Sequence, residues 1–363
     1  MLPSTFPRRP RVRPFFHVVP LSGGRVQLRS AYRALVISGA GAPELMRLLF
    51  PLLDGTRTSD EIVTACHDHA PEAVRHALFV LQEKAVLEDA ADGDEAVLAA
   101  ADRVAFADQV RLFSSFVGNP WRCQADLQAK RITLVGVTPL GVAIARQLAH
   151  CGVGSLQLVP RSAAEAAAGS AFHEESTGNG SRCSVRVEPT APDNIDGVLS
   201  TACADAHLVI APSDGPAPAM HRKVNEVCLG LKAPWLPVVL FGNDVGVGPL
   251  MVPGQTACFT CYELRMKGNL IFADEYVAFE DHLLRGDESG VSQGSLNVYA
   301  SVVAGLAAIE AVKFLTKFTY PITLGRLIRV NFVNYQFMVH AVLRLPRCPM
   351  CAPTRPVTRE WES

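Results

Sequence analysis

Alternating polar and apolar positions near the start of the chain predict three short strands. Residues 15–21 form a strand-like run that ends at the turn signal Ser22-Gly23-Gly24, and residues 25–29 alternate as a half-buried strand does. Residues 34–38 predict a third strand, which Gly39 closes. A small β-sheet is therefore expected at the beginning of the protein.

A helical period of apolar residues follows these strands. Leucines within residues 45–52 form one helical stripe, and Thr58 and Glu61 have the spacing of a capping box that opens a second helix. Pro71 then starts a third helix. The apolar face of that helix consists of Val74, Leu78 and Leu81. Three strands followed by three helices predict a winged-helix-like α+β domain over residues 15–90.

Short, continuously apolar strands alternate with helices in the rest of the chain and predict a larger α/β domain over residues 126–363. These strands are expected at residues 132–135, 156–159, 206–211 and 236–241. Their alternation with helices indicates a parallel, doubly wound sheet. Residues 91–125 are rich in Ala and Asp and predict a helical connector, and residues 1–14, with four arginines and four prolines, predict a disordered tail.

Two CxxC motifs separated by 86 residues predict a metal site in the larger domain. Two thiolates at i and i+3 of a tight turn can bind one metal ion, and two such turns supply the four sulfurs of a closed tetrahedral zinc site. A closed site leaves no position for water or substrate, so the zinc is expected to be structural. Its ligands are Cys258, Cys261, Cys348 and Cys351.

Composition narrows the possible partners and the compartment. A hydrophobic fraction of 49% is ordinary for a globular protein, and a formal net charge of −1 gives no electrostatic reason to bind nucleic acid or membrane. The apolar stretch 298–309 contains Ser301 and Gly305 and predicts a buried core helix rather than a membrane span. The metal-type cysteines and the absence of a signal-peptide pattern predict a reducing cytoplasm.

The turn after the first strand of the larger domain has only part of a nucleotide-binding motif. Gly136 and Gly141 stand at the first and last positions of G-x-G-x-x-G, but Thr138 replaces the middle glycine that lets a phosphate approach the backbone. The following strand ends in Pro160-Arg161, where a ribose-binding acidic residue is expected. We therefore interpret the turn as packed for stability and do not expect ATP to bind.

From about residue 102 to residue 351 the pattern resembles the ThiF superfamily of adenylating enzymes. The resemblance rests on the glycine turn, on the strand before Asp214, and on the segment 253–261 with the second CxxC motif. It implies a Rossmann-like fold, in which Asp214 matches the aspartate that positions magnesium-ATP in active members. ThiF-like proteins are often dimers, which makes a homodimer possible for this chain.

Residues 15–90 resemble the PqqD-like leader-peptide recognition element, through residues 52–62 and the last helix. Fused to a degenerate ThiF-like domain, this element is similar to the ocin-ThiF-like proteins of azole and azoline peptide biosynthesis. Such a protein binds the leader of a ribosomal precursor peptide and presents its Cys-, Ser- or Thr-containing core to an ATP-dependent YcaO-type cyclodehydratase. By itself it is expected to have no catalytic residue.

The resemblance implies two binding surfaces. We expect the leader to add as a strand to the third strand, beside walls formed by the last helix of the small domain. The residues concerned are Ala34, Leu35, Val36, Ile37, Ser38, Val74, Leu78 and Leu81. For the last three, core packing is the alternative. The YcaO-type synthetase partner is expected to dock on a surface that Phe314, Phe318 and Tyr320 help to form. For these three residues core packing is again the alternative.

Two other functions remain open at this stage. A working ThiF-type adenylyltransferase would activate the C-terminus of a peptide or carrier, and Thr138 argues against it. A DNA-binding regulator would need a basic recognition helix, but the third helix of the small domain offers Arg75 and Lys84 beside Glu72 and Glu83.

Overall fold

A computed structural model describes residues 6–23, 25–31, 33–39, 41–90, 97–178, 181–190, 195–285 and 294–352. The chain divides into two compact units, residues 1–125 and residues 126–363.

The first unit contains two small antiparallel sheets. Strands β2 (His17–Leu21), β3 (Arg25–Arg29) and β4 (Ala34–Ile37) form a three-stranded sheet in that order, in which Gln27 pairs with Val36 and Arg29 with Ala34. The other sheet pairs β1 (Pro10–Val12) with β5 (Leu87–Asp89). Among the described residues β4 pairs only with β3, so it is an edge strand.

The prediction of a disordered tail over residues 1–14 is wrong for its described part, which begins at residue 6. The backbone N–H groups of Arg8 and Arg9 donate to the Asp89 carboxylate at 2.7 and 2.9 Å, and Arg11 pairs with Glu88 at 2.8 Å. Its arginine- and proline-rich composition suggested disorder. The acidic partners that order it lie about 80 residues later in the sequence, beyond the reach of a local pattern.

In the described part of the first unit and at its end, the chain forms six helices. They are α1 (Ala42–Leu52), α2 (Ser59–Ala65), α3 (Pro71–Glu83), α4 (Ala100–Ala105), α5 (Ala107–Phe113) and α6 (Pro120–Gln128). The predicted capping box opens α2, because the Glu61 N–H donates to Thr58 Oγ1 at 3.3 Å and the Thr58 N–H donates to Glu61 Oε2 at 2.7 Å. The helices and the sheet enclose a core in which Leu28, Leu49 and Ile62 are fully buried.

The second unit is built on one eight-stranded sheet. Its strands are β6 (Arg131–Val135), β7 (Ser155–Val159), β8 (Ser184–Val187), β9 (Leu208–Ser213), β10 (Trp235–Phe241), β11 (Asp244–Val247), β12 (Arg326–Asn331) and β13 (Gln336–Ala341). They are ordered β13-β12-β11-β10-β9-β6-β7-β8. The five strands from β8 to β10 are parallel, which confirms the doubly wound fold, whereas β11, β12 and β13 extend the sheet antiparallel.

Within the described residues of the second unit, seven helices accompany this sheet. They are α7 (Pro139–His150), α8 (Ala163–Gly178), α9 (Ile195–Ala204), α10 (Pro218–Leu231), α11 (Phe259–Lys267), α12 (Ala273–Leu284) and α13 (Asn297–Thr316). The chain moves from β6 outward to β7 and β8 and then returns to β9 on the other side of β6. The carboxyl ends of β6 and β9 therefore form the topological switch point, where ligands of open α/β sheets bind.

One helix of the described chain, α13, has the length and apolar composition needed to cross a bilayer. Within the second unit it packs against α7, and Val303, Ala304 and Ala307 are fully buried. Its buried Glu310 accepts hydrogen bonds from the N–H and Oγ1 of Thr323 at 2.7 and 2.9 Å. This is the packing expected of a core helix in a globular domain.

Candidate functional site

The four cysteines of the two CxxC motifs meet in the second unit, and their sulfur atoms lie within 4.8 Å of one another. The Sγ–Sγ distances are 3.8 Å for Cys258–Cys261, 3.6 Å for Cys258–Cys348 and 3.5 Å for Cys261–Cys351. Four thiolates about 2.3 Å from a central zinc ion would be about 3.8 Å apart. The cluster therefore has the donor set and the size to hold one metal ion.

The four thiols of this cluster differ in their pKa, since burial raises the pKa of Cys258 and Cys351 whereas the pKa of Cys348 is lowered. The Leu345 N–H donates to Cys261 Sγ at 3.4 Å. Burial opposes ionisation of Cys348, but hydrogen bonds from the backbone N–H groups of Cys351 and Met350 and from the neighbouring thiols of Cys261 and Cys258 together lower the pKa of this thiol to about 7. Such N–H···S contacts orient and stabilise metal-bound sulfur.

The glycine turn between β6 and α7 owes its two glycines to packing. Gly136 has a φ of 109°, and a Cβ there would lie 2.7 Å from the Pro212 carbonyl oxygen. A Cβ on Gly141 would lie 2.4 Å from the Gly136 carbonyl oxygen. Both contacts are impossible for a side chain, so the turn requires glycine at these two positions whether or not a nucleotide binds.

Thr138 connects this turn to Asp214 across the switch point. Its Oγ1 caps α7 by accepting from the Gly141 N–H at 3.2 Å and donates to Asp214 Oδ1 at 3.0 Å. Burial raises the pKa of Asp214, and the hydrogen bond from Thr138 opposes that rise. The structure thus brings together the three residues singled out as remnants of a nucleotide site, Gly136, Gly141 and Asp214.

A fourth residue at this turn, Glu165, was missed by the sequence analysis. Its Oε2 accepts from the backbone N–H groups of Val137 at 2.8 Å and Arg161 at 2.9 Å, and its Oε1 accepts from the Arg161 guanidinium at 2.6 and 2.9 Å. Burial opposes ionisation, but these hydrogen bonds outweigh it and lower the pKa of Glu165. The available signal was Ser162 three positions earlier, whose Oγ accepts from the Glu165 N–H at a helix start.

The proposed peptide edge in the first unit is accessible along β4, where Val36 is 51% exposed. The expectation that Val74, Leu78 and Leu81 line a groove is wrong, because all three are at most 2% exposed and belong to the core. On the same helix, α3, the exposed large apolar residues are Phe79 and Val80. The helical period identifies the apolar side of α3, but it does not distinguish the residues that face the core from those at the exposed edge of that side.

The start of β4 lies next to the end of α3. The Arg33 Nη1 donates to the Lys84 carbonyl oxygen at 3.4 Å, immediately after the last residue of the helix. Leu35 and Ile37 are half-buried and pack on the core that contains Leu78. Ala34, Val36 and Ser38 are exposed.

A cavity of about 760 Å³ lies in the second unit between the sheet and the helices α11 and α12. Apolar and aromatic residues line it, among them Val239, Phe241, Tyr262, Met266, Tyr276 and Phe279. Pro216 and Pro218, just beyond Asp214, also contribute to its wall. No sequence motif indicated this cavity, because its walls come from four separate segments.

A buried ion cluster joins the helices around the cavity. Arg222 on α10 contacts Glu263 on α11 at 3.0 Å and Glu280 on α12 at 2.8 Å. Lys267 contacts Glu280 at 2.5 Å. Burial opposes ionisation of Glu280, but its two cationic partners outweigh it and lower its pKa, whereas burial raises the pKa of Glu263. The pKa values of the two carboxylates shift in opposite directions: Glu280 accepts hydrogen bonds from both Lys267 and Arg222, whereas burial and the charge of Glu280 prevail over Arg222 at Glu263.

The three aromatic residues predicted to dock a synthetase differ in their exposure. Tyr320 is 62% exposed, whereas Phe314 and Phe318 are half-buried. Only Tyr320 therefore offers most of its side chain to a partner.

Comparison with known proteins supports the architecture. The sequence profile of the ThiF family matches residues 177–350. The HesA protein of Leptolyngbya boryana is 27% identical over 176 residues, which are 47% of this chain and 54% of that protein. The chain therefore matches about half the length of this curated relative.

Solved structures match nearly the whole chain. E. coli MccB has a TM-score of 0.72 at 16% identity, covering 96% of this chain and 98% of its own. The heterocyclase TruD has a TM-score of 0.66 at 19% identity, covering 95% of this chain and 43% of its own. At these identities the likeness establishes the fold. MccB has been crystallised with ATP and with N-formylated MccA. Residues 177–350 therefore match the ThiF family, and nearly the whole chain shares the fold of these solved structures.

Proposed function

We propose that this protein is the precursor-binding component of an azoline-forming cyclodehydratase in ribosomal peptide biosynthesis. It binds the leader of a precursor peptide and delivers the Cys-, Ser- or Thr-containing core to a YcaO-type partner that uses ATP. Two observations together carry the proposal. The edge strand β4 of the first unit is accessible, and the side chains of Glu165 and Thr138 already form hydrogen bonds at the glycine turn of the second unit.

Residues 15–90 act in this proposal as a PqqD-like recognition element. The unpaired backbone of β4 can accept an extended peptide as a fourth strand, and backbone hydrogen bonds then supply affinity. Val36, Phe79 and Val80 replace the buried residues of α3 as candidates for side-chain contact, since they are exposed. The structural likeness to MccB, a protein crystallised with the peptide N-formylated MccA, supports a peptide as the ligand.

In this proposal ATP does not bind at the glycine turn, because Glu165 already occupies its hydrogen-bonding groups. A phosphate or ribose at this turn needs backbone N–H groups or a free carboxylate. The Val137 N–H is already bonded to Glu165, and both oxygens of that carboxylate are taken by protein donors. A nucleotide would have to break this ion pair, and its own negative charge would face that of Glu165.

The metal in the four-cysteine cluster is zinc in this proposal, with a structural role. Four cysteine ligands match the closed zinc sites of proteins, and no fifth donor is needed. Reduced metal-binding cysteines favour the cytoplasm. The chain acts without catalysis of its own, and a homodimer is compatible with the proposal.

Reconstitution tests the proposal. The full-length protein, a YcaO-type enzyme and a precursor peptide encoded beside it are incubated with MgATP, and mass spectrometry counts the water molecules lost on ring formation. Ring formation should depend on this chain and should persist in the Asp214→Ala variant, because Asp214 has no catalytic role here. Equal ring formation without the chain would refute the proposal.

The second candidate is a ThiF-type adenylyltransferase acting on a peptide or carrier C-terminus. In its favour, Asp214 lies at the switch point, the buried Ser213 hydroxyl has no partner in the described part of the chain, and MccB has been crystallised with ATP. It predicts exchange of pyrophosphate into ATP in the presence of peptide, abolished in Asp214→Ala. The first proposal predicts no exchange above background.

A further inference from the structure

The three-stranded sheet of the first unit carries arginines, and the surrounding sequence contains no acidic residues. The first 43 residues contain seven arginines and no Asp or Glu. Arg11 and the backbones of Arg8 and Arg9 bind the carboxylates of β5, so these residues serve the fold. Arg25 and Arg29 lie at the two ends of β3 and do not bind these carboxylates.

Both arginines of β3 point to the face of the sheet away from the core. Side chains alternate along a strand, so Arg25, Gln27 and Arg29 share one face, while Leu28 is fully buried on the other. Arg25 and Arg29 are exposed. Neither forms an ion pair within the described ranges, and Arg25 uses its Nε to donate to the Ser22 carbonyl oxygen at 3.1 Å.

The residues beside these arginines on β4 are small. Arg29 pairs with Ala34, and Ser38 follows Ile37, which is the partner of Val26 next to Arg25. Neighbouring strands are about 4.8 Å apart, and an arginine side chain can cross one strand when only a small side chain stands in the way. Val36, opposite Gln27, gives an exposed apolar position between the two arginines.

We propose that the segment that adds to β4 has the pattern acidic-x-apolar-x-acidic. This inference rests on the strand addition proposed above and names the chemistry of the peptide. The two acidic side chains meet Arg29 and Arg25 across Ala34 and Ser38, and the apolar side chain covers Val36. Because the pattern is symmetric, it is the same for parallel and antiparallel addition.

Three fluorescein-labelled peptides test the pattern in anisotropy titrations with the full-length protein at low salt. They contain Glu-Thr-Val-Thr-Glu, Lys-Thr-Val-Thr-Lys or Thr-Glu-Val-Glu-Thr between identical Ser/Gly ends. One exposed ion pair changes affinity by about two- to fivefold. The first peptide should therefore bind about tenfold more tightly than the second, and this preference should shrink as salt shortens the screening length. The third places its acids on the opposite face and should lose most of the gain.

Charge-neutral variants assign the effect to the two arginines. The double variant Arg25→Gln/Arg29→Gln should remove the preference for the first peptide. Arg47→Gln is the matched control, because Arg47 is exposed on α1, which packs on the core face of β3, and forms no ion pair in the described chain. Equal binding of all three peptides, or a preference that survives in the double variant, would overturn the inference.

The same titration separates this inference from the proposed function. Two further versions of the Glu peptide carry backbone N-methyl groups on alternate residues, and strand addition requires one of them to lose binding. If N-methylation matters but charge does not, the pattern is wrong and strand addition stands. If no peptide binds, or if neither methylated version is weakened, strand addition at β4 and the pattern fail together.

Discussion

The protonation state of a buried side chain in the second unit depends strongly on the residues packed around it. His221 on α10 is 3% exposed, and its ring packs near Trp235 and Phe259. Its Nε2 lies 3.2 Å from the Ala211 carbonyl oxygen, so it donates there in the neutral form. Burial lowers the pKa of His221 to about 4, and the charge of Arg161 contributes to this effect. The histidine is therefore a neutral core residue at neutral pH.

This burial makes stability depend on pH with a definite sign. The pKa of His221 is lower in the folded state than the ordinary value near 6.5, so the unfolded chain binds more protons below that pH. The free energy of unfolding should be unaffected above about pH 6.5 and should fall by up to about 3 kcal/mol as the pH approaches 4. Urea unfolding of the wild type and of His221→Phe at pH 7 and pH 4.5 measures this contribution. An equal pH dependence in the two proteins would contradict it.

The glycine turn gives a second prediction at the same scale. Gly141→Ala should destabilise the second unit by about 1–3 kcal/mol, because its Cβ would overlap the Gly136 carbonyl oxygen. The matched control is Gly230→Ala in α10, where a Cβ meets nothing within 4 Å and a helical alanine is favoured. Thermal unfolding without nucleotide separates the two variants. A neutral Gly141→Ala would mean that the glycine is not required for packing.

Elements with a complete local signal were predicted from the sequence, and elements that depend on distant partners were not. The apolar runs of β6, β9 and β10 are largely buried on both faces, so their sequences show them directly. By contrast, β13 is exposed along most of its length, and its apolar run of Phe337, Met338 and Val339 is only three residues long. The strand β1 exists through its pairing with β5, about 80 residues away, and its composition alone suggested a tail.

The same distinction between local and distant signals applies to the cysteine cluster, the glycine turn and the peptide edge. The CxxC spacing specifies its ligands by itself, and the structure brings all four sulfurs together. Glu165 belongs to the glycine turn through a side chain from the next helix, which sequence spacing does not reveal. The peptide edge needed the distinction between the buried and exposed sides of α3, which only the packed unit provides.

The capping box of α2 carries a prediction for that helix. Thr58→Ala removes the side chain that accepts from the Glu61 N–H and should lower the stability of the first unit by about 1 kcal/mol. Thr64→Ala is a suitable control, since Thr64 Oγ1 bonds only the Asp60 carbonyl oxygen within the same helix. Hydrogen exchange of the α2 amides measures the effect. Equal protection in the two variants would show that the box does not stabilise α2.

At the scale of the whole molecule, a metal ion in the four-cysteine cluster would hold the segment after the last strand of the sheet to the start of α11. Cys258 and Cys261 flank the start of α11, and Cys348 and Cys351 follow β13. A shared metal ion therefore ties two segments that are about 90 residues apart. Removing it should loosen both ends of this connection.

The purified protein should contain one zinc ion per chain by elemental analysis. Cys261→Ser should lose most of the metal and lower the melting temperature, because a structural zinc site contributes its binding energy to folding. Cys151→Ser, outside the cluster, should retain the full metal content. Full metal content in Cys261→Ser, or a metal-free wild type with the same stability after chelation, would contradict the structural role.

As proposed above, this chain binds a precursor peptide and does not activate it with ATP. The most direct test is one anisotropy titration of labelled precursor peptide with the full-length protein, performed with and without MgATP. The proposal predicts saturable binding with the same Kd in both conditions and no formation of AMP. Binding that requires MgATP, or the release of AMP on mixing, would contradict it.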